Sequence, residues 1–167
     1  LPTVYKSRVN QQDKNVQAYA YTQRMRKNRP TDTNEEYMMS TWAAFPHDNS
    51  AYYYDGTSLQ EHWQLLHSGD RVEWPSGENA QALVEAWQAF HQGDFEQSVK
   101  LADAVGIEGH AIANKATGIY ADYLEEDEAR QQELYESIIE RAERAMETYP
   151  EDPNSFYFHA YGLGRYS

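Results

Sequence analysis

From Leu59 onward, apolar residues recur at steps of three and four. Leu59, Trp63 and Leu66 share one face with His62, and Leu83, Ala86, Trp87 and Phe90 share the next. Phe95, Val99, Leu101, Ala102 and Val105 follow, then Ile112, Ala116, Ile119, Tyr120 and Tyr123. The longest stripe is Leu134, Tyr135, Ile138, Ile139, Ala142, Ala145, Met146 and Tyr149. This spacing marks helices that bury one face. No segment shows a convincing strand pattern. The predicted fold class is all-α, built from antiparallel helix pairs after an N-terminal helical and irregular section.

Turn residues punctuate the stripes. Residues 12–28 are good helix formers and should stop at Arg29-Pro30, because the residue before proline resists the helical conformation. Thr33 or Asn34 can cap a short helix through Phe45, with Glu35 and Glu36 in its first turn. Pro46 to Ser50 breaks it. Thr57 or Ser58 should cap the Leu59 helix, and Gly69 is a natural end for it. Residues 71–79 read as irregular around Trp74-Pro75-Ser76-Gly77. Asn79 or Glu78 opens the next helix. Gly93-Asp94 and the Gly106/Gly109 pair mark later turns, and Glu125 to Glu128 reads as a solvated helix start. A helix from Glu128 to Tyr149 then ends at Pro150, and another runs to Tyr166. The expected organisation is a basic arm over 1–30, an irregular section over 31–77 and a helical-repeat section over 78–167.

Two internal echoes support repetition. Trp63 to Asp70 matches Trp87 to Asp94 at an offset of 24, with five identities in eight. Ile112/Ala116/Ile119 matches Phe156/Ala160/Leu163 at an offset of 44. Large, small and large residues at steps of four and three suit close helix contact. The turn at Gly93-Asp94-Phe95, the segment Ala145 to Pro150 and the Phe156/Ala160/Leu163 pattern resemble the tetratricopeptide repeat. The resemblance covers roughly residues 80–167, and the 44-residue offset is longer than that family's period of about 34 residues. Residues Ala113 to Thr117 and Gly162 to Ser167 also resemble bacterial proteins of this type.

Charge separates along the chain. Residues 1–30 hold seven basic residues against Asp13, a balance of +6. Residues 31–167 hold 7 basic and 26 acidic residues, a balance of −19. So acidic a body repels nucleic acid and anionic lipid. The arm is expected on that body, on a neighbour's, or on an anionic partner. The 14 tyrosines suit half-buried seams or binding surfaces. There is no cysteine, and no apolar run nears the roughly 20 residues that span a bilayer. The chain starts at Leu1, which fits a processed N-terminus and slightly favours the bacterial periplasm over the cytoplasm.

No constellation points to chemistry. None of the six histidines forms an i, i+4 pair with a third ligand, so neither a metal nor a cofactor is expected. His67 and His91 each precede a glycine by one turn, where an imidazolium would meet the negative end of the helix dipole. There is no nucleophile elbow and no phosphate loop. The repeat resemblance implies that the first helix of each pair lines a concave groove. It places His110, Thr117 and Tyr120 there from one helix, and Asn154, Tyr157, Tyr161 and Arg165 from the next. Packing of some of these tyrosines against the N-terminal section is the competing expectation. The expected function is non-catalytic: a protein- or peptide-binding scaffold. The alternatives are an accessory subunit docked on a larger complex or, less favoured, a small hydrolase or metal enzyme. The last helix is apolar on several sides, so the chain is expected to be a fragment of a longer repeat protein or to have that helix covered. The cover would be the N-terminal section or another chain, in a homo-oligomer or larger complex.

Overall fold

Six helices order the chain in the computed structural model, which describes residues 42–70 and 72–167. They are α1 (Gly56–Leu66), α2 (Ala80–His91), α3 (Phe95–Ala104), α4 (His110–Tyr123), α5 (Glu128–Thr148) and α6 (Pro153–Tyr166). Short 3-10 turns cover Ser50–Tyr52 and Gly106–Gly109. No strand occurs among the described residues, so the chain is all-α. None of these helices is long and apolar enough to cross a membrane. The chain divides into Leu1–Ser40 and Thr41–Ser167. The arm over 1–30, the helix over 12–28 and the cap at Thr33 or Asn34 lie outside the described residues.

Aspartate side chains start four of the six helices. Asp55 accepts from the Ser58 N–H at 2.7 Å, Asp94 from Gln97 at 3.1 Å, Asp127 from Arg130 at 2.8 Å and Asp152 from Ser155 at 2.9 Å. Each satisfies an N–H that the first turn leaves unpaired, beside the positive end of the helix dipole. Thus Asp55, not Thr57 or Ser58, caps α1. That helix ends at Leu66 with His67 as its C-cap, before the expected Gly69. Gly93 turns the chain between α2 and α3 at φ +80°, and a Cβ there would stand 2.7 Å from Phe45. Only glycine satisfies both constraints cheaply.

Residues 42–45, expected as the end of a helix, are not helical. Trp42 stacks on Tyr120 with ring centres 4.1 Å apart, and Phe45 meets Phe95 edge-on at 6.2 Å. The Ala43 N–H donates to the Tyr120 hydroxyl at 3.0 Å. The segment is held by ring contacts and by this one backbone bond to distant partners.

Consecutive helices from α2 onward pack on each other. Antiparallel α4 and α5 are pinned by Gln131 to the Ala121 carbonyl and by Arg141 to Asn114. Helix α6 lies parallel to α4, with Tyr161 beside Gly118 and Arg165 on Asp122. Two hydrophobic clusters follow. One joins Leu59 and Trp63 to Val84, Trp87, Ala102 and Ile112. The other joins Phe95 and Tyr120 to Leu134, Ile138, Ala142 and Phe158. Val72 and Trp74, from the irregular stretch before α2, pack against the first cluster.

Candidate functional site

A cavity of about 560 Å³ lies between helices α4 and α6. Ala111, Lys115, Gly118, Ile119 and Asp122 line it from α4, and Tyr123 stands at the end of that helix. Asn154, Tyr157, Phe158 and Tyr161 line it from α6, while Gly69, Asp70 and Val72 close a third side. Gly118 permits the approach of α6: a Cβ there would lie 3.0 Å from the Tyr161 ring.

One wall is organised by Asp122. Its Oδ1 accepts from the Tyr135 hydroxyl at 2.8 Å, and its Oδ2 accepts from Tyr161 at 2.8 Å and from Arg165 at 2.8 Å. These bonds join α4, α5 and α6 through one carboxylate. Burial, then the bond to Asp122, pushes the Tyr135 hydroxyl up to about 12. The same causes raise Tyr161 further. Both phenols therefore stay protonated and donate. The Arg165 guanidinium also lies over Tyr161, 5.7 Å from its ring centre.

The third side, at Asp70, rests on the 63–70 and 87–94 echo. The two copies meet in space, with Trp63 and Trp87 edge-to-face at 5.4 Å and the His67 and His91 Nε2 atoms 3.4 Å apart. The other nitrogen of His67, Nδ1, lies 3.1 Å from Asp70 Oδ2. A carboxylate can only accept, so Nδ1 carries the proton and the His67 Nε2 lone pair faces His91. Lys115 pairs with the same Asp70 oxygen, and its ammonium lies 5.6 Å from the Trp87 ring and 5.5 Å from Phe90. Burial costs Asp70 some of its charge, but the Lys115 ammonium and His67 outweigh it and hold the carboxyl below its usual range.

The expected imidazolium at these positions is corrected. Burial lowers His67 despite Asp70, and burial with the neighbouring His67 and Lys115 lowers His91 to about 4. Desolvation at this depth outweighs the attraction of a helix C-terminus, so both rings are neutral near pH 7. The shared Trp-Gln-x-x-His-x-Gly-Asp pattern also hides a division of labour: Asp94 caps α3, whereas Asp70 holds Lys115.

Three of the seven expected groove residues, Asn154, Tyr157 and Tyr161, line the cavity, and Arg165 sits beside it on Asp122. The other three turn into the core. His110 is buried with Nε2 3.1 Å from Asp152, Thr117 bonds the Ala113 carbonyl at 2.7 Å, and Tyr120 is 3 % exposed. Burial, only partly offset by Asp152, lowers the His110 pKa. The reason is a register slip. The 44-residue echo pairs Asn154 with His110 and Tyr161 with Thr117, whereas the packed helices pair Tyr161 with Gly118 and Arg165 with Asp122. One residue rotates a helical position by about 100°. Lys115, Gly118 and Asp122 share a face with Ala111 at steps of three and four, so the lining was visible in the pattern one position away.

Behind that core face, Arg141 donates to both Asp103 oxygens at 2.9 and 3.0 Å and to Asn114 Oδ1 at 2.8 Å. The buried Asn114 Nδ2 and His110 Nδ1 have no hydrogen-bond partner among the described residues. No group of three or more His, Asp or Glu among the described residues is arranged to hold a metal ion. The chain matches no protein-family model, no curated protein and no solved structure.

Proposed function

We propose that this chain is a non-catalytic helical-repeat scaffold whose groove between α4 and α6 holds a peptide segment of a partner protein. The observation that carries this reading is the cavity itself. Two parallel helices present tyrosine faces, a primary amide and carboxylates around about 560 Å³ of open space. Aromatic and hydrogen-bonding groups held on rigid helices are what peptide grooves use. The ionisable groups around it are engaged in holding helices together: Asp122 with two tyrosines and Arg165, Asp70 with Lys115 and His67. That arrangement favours a scaffold over acid–base chemistry, which needs groups poised to exchange protons.

The test is selection of binders from a displayed random-peptide library, followed by calorimetry. Ala111→Trp would fill the cavity from α4, where Ala111 lines it. Enriched peptides should bind the native chain and lose roughly tenfold or more on that variant. Unchanged affinity, with melting and circular dichroism intact, would place binding elsewhere and overturn the reading.

A second reading, an accessory subunit of a larger complex, is favoured by one observation. Phe156, which does not line the cavity, is 47 % exposed on α6. Light scattering of the purified chain separates the two: a concentration-dependent dimer lost on Phe156→Asp supports docking through α6.

A further inference from the structure

We infer that the groove takes its peptide through a basic side chain, an arginine or lysine, seated against the Asp122 and Asp70 carboxylates and the faces of Tyr157 and Tyr161. This rests on the peptide-groove reading above and adds the chemistry of the ligand.

The molecule already shows the mode twice. Arg165 places a guanidinium nitrogen 2.8 Å from Asp122 Oδ2 and its carbon 5.7 Å from the Tyr161 ring centre. Lys115 pairs its ammonium with Asp70 while lying over Trp87 and Phe90. In both places a carboxylate beside an aromatic face holds a cation, and both components attract one. The internal cations do not exhaust the carboxylates. Among the described residues, Asp70 meets His67 and Lys115 through Oδ2, and Asp122 Oδ1 takes the Tyr135 hydroxyl. A carboxylate has about four acceptor positions, so each keeps capacity for a further donor. Among the described residues, the cations that line or flank the groove, Lys115 and Arg165, each pair with one of those aspartates. The long-range field agrees, because the −19 balance of residues 31–167 attracts cations and repels anions.

Arg165 makes the inference sharp. Its side chain is 53 % exposed, so it holds Asp122 loosely and competes with an incoming cation. Its removal should therefore improve binding, whereas removal of a true contact residue would weaken it.

The experiment uses the full chain and an acetylated, amidated Gly-Tyr-X-Tyr-Gly peptide, with X arginine, lysine, citrulline or glutamate, titrated by calorimetry. The arginine and lysine peptides should bind best and weaken as salt rises. Arg165→Gln should tighten the arginine peptide roughly two- to fivefold, the size of one exposed ion pair. Asp122→Asn should weaken it by about tenfold. That variant also disturbs two tyrosines, so the Arg165→Gln result and the wild-type salt dependence decide if it melts early. Glutamate or citrulline binding as tightly as arginine, with affinity lost on Ala111→Trp, would overturn the basic preference and leave the groove standing. Weaker arginine binding to Arg165→Gln would overturn it too. Failure of all four peptides to bind at millimolar concentration would overturn both the preference and its support in this groove.

Discussion

Helices α4 and α6 are both 14 residues long, run parallel and carry similar apolar patterns, yet they live in different surroundings. Nine residues of α4 are buried, against three of α6. The difference is one of neighbours. Helix α4 packs between α3 and α5 and also meets α2 and α6, whereas α6 packs on α5 and, more lightly, on α4. Ile112 is 2 % exposed, while Phe156, its counterpart in the 44-residue echo, is 47 % exposed. Ala116 is fully buried, and Ala160 faces solvent. Apolar periodicity marks a face that can be buried, and only the presence of a neighbour buries it.

The largest expected effect contrasts the two large positions. Ile112→Ala should destabilise the chain by roughly 2–5 kcal/mol through lost transfer energy and a residual cavity. Phe156→Ala should change stability by no more than about 0.5 kcal/mol. Urea denaturation of both variants measures this. Equal losses would mean that the outer face of α6 is covered in solution, which would favour the accessory-subunit reading.

The small positions should differ next. Ala116→Leu and Ala145→Leu, both at fully buried sites, should overpack their contacts and cost roughly 1–3 kcal/mol each. Ala160→Leu should cost almost nothing. Melting temperatures of the three variants check the order, and a neutral Ala145→Leu would contradict the close packing of α5.

The smallest effect is a pH dependence seated beside α4. The folded pKa of His91 is depressed to about 4 from an ordinary value of 6.5, and His67 is shifted the same way. The unfolded chain thus binds protons more readily than the folded one. The contribution of the neutral rings is complete above pH 6.5 and is lost as pH falls from there toward 4. Melting temperature should drop between pH 7 and 5, and His91→Asn should flatten that slope. A slope unchanged in the variant would assign the dependence to other groups.

Much of this architecture was legible in the sequence. The stripes over α2 to α6 and the turns at Gly93, Gly106 and Pro150 locate the helices to within a few residues. The caps were harder. Ser, Thr, Asp and Asn all suit an N-cap, and Asp55 won over Thr57 and Ser58 because its carboxylate reaches the Ser58 N–H. On α6 the expected groove residues Asn154, Tyr157 and Tyr161 line the cavity. On α4 the expected His110, Thr117 and Tyr120 are buried and their neighbours Ala111, Gly118 and Ile119 line the cavity, since an echo in sequence aligns residue types and a packed interface aligns surfaces. The His67/His91 pairing was visible only as a repeated pattern. Its neutral state follows from desolvation between tryptophans, which no local pattern reports.

The sequence by itself determined that the chain is helical, where its helices turn and how its charge is distributed, because these depend on neighbours three and four positions apart and on simple counting. Tertiary structure decided which faces are buried, that residues 42–45 pack on Tyr120 and Phe95, and that Asp122 gathers Tyr135, Tyr161 and Arg165 from two other helices. Those outcomes depend on contacts between groups up to 77 residues apart, as for Ala43 and Tyr120. At such separations helix packing, and not the local pattern, sets which side chains meet.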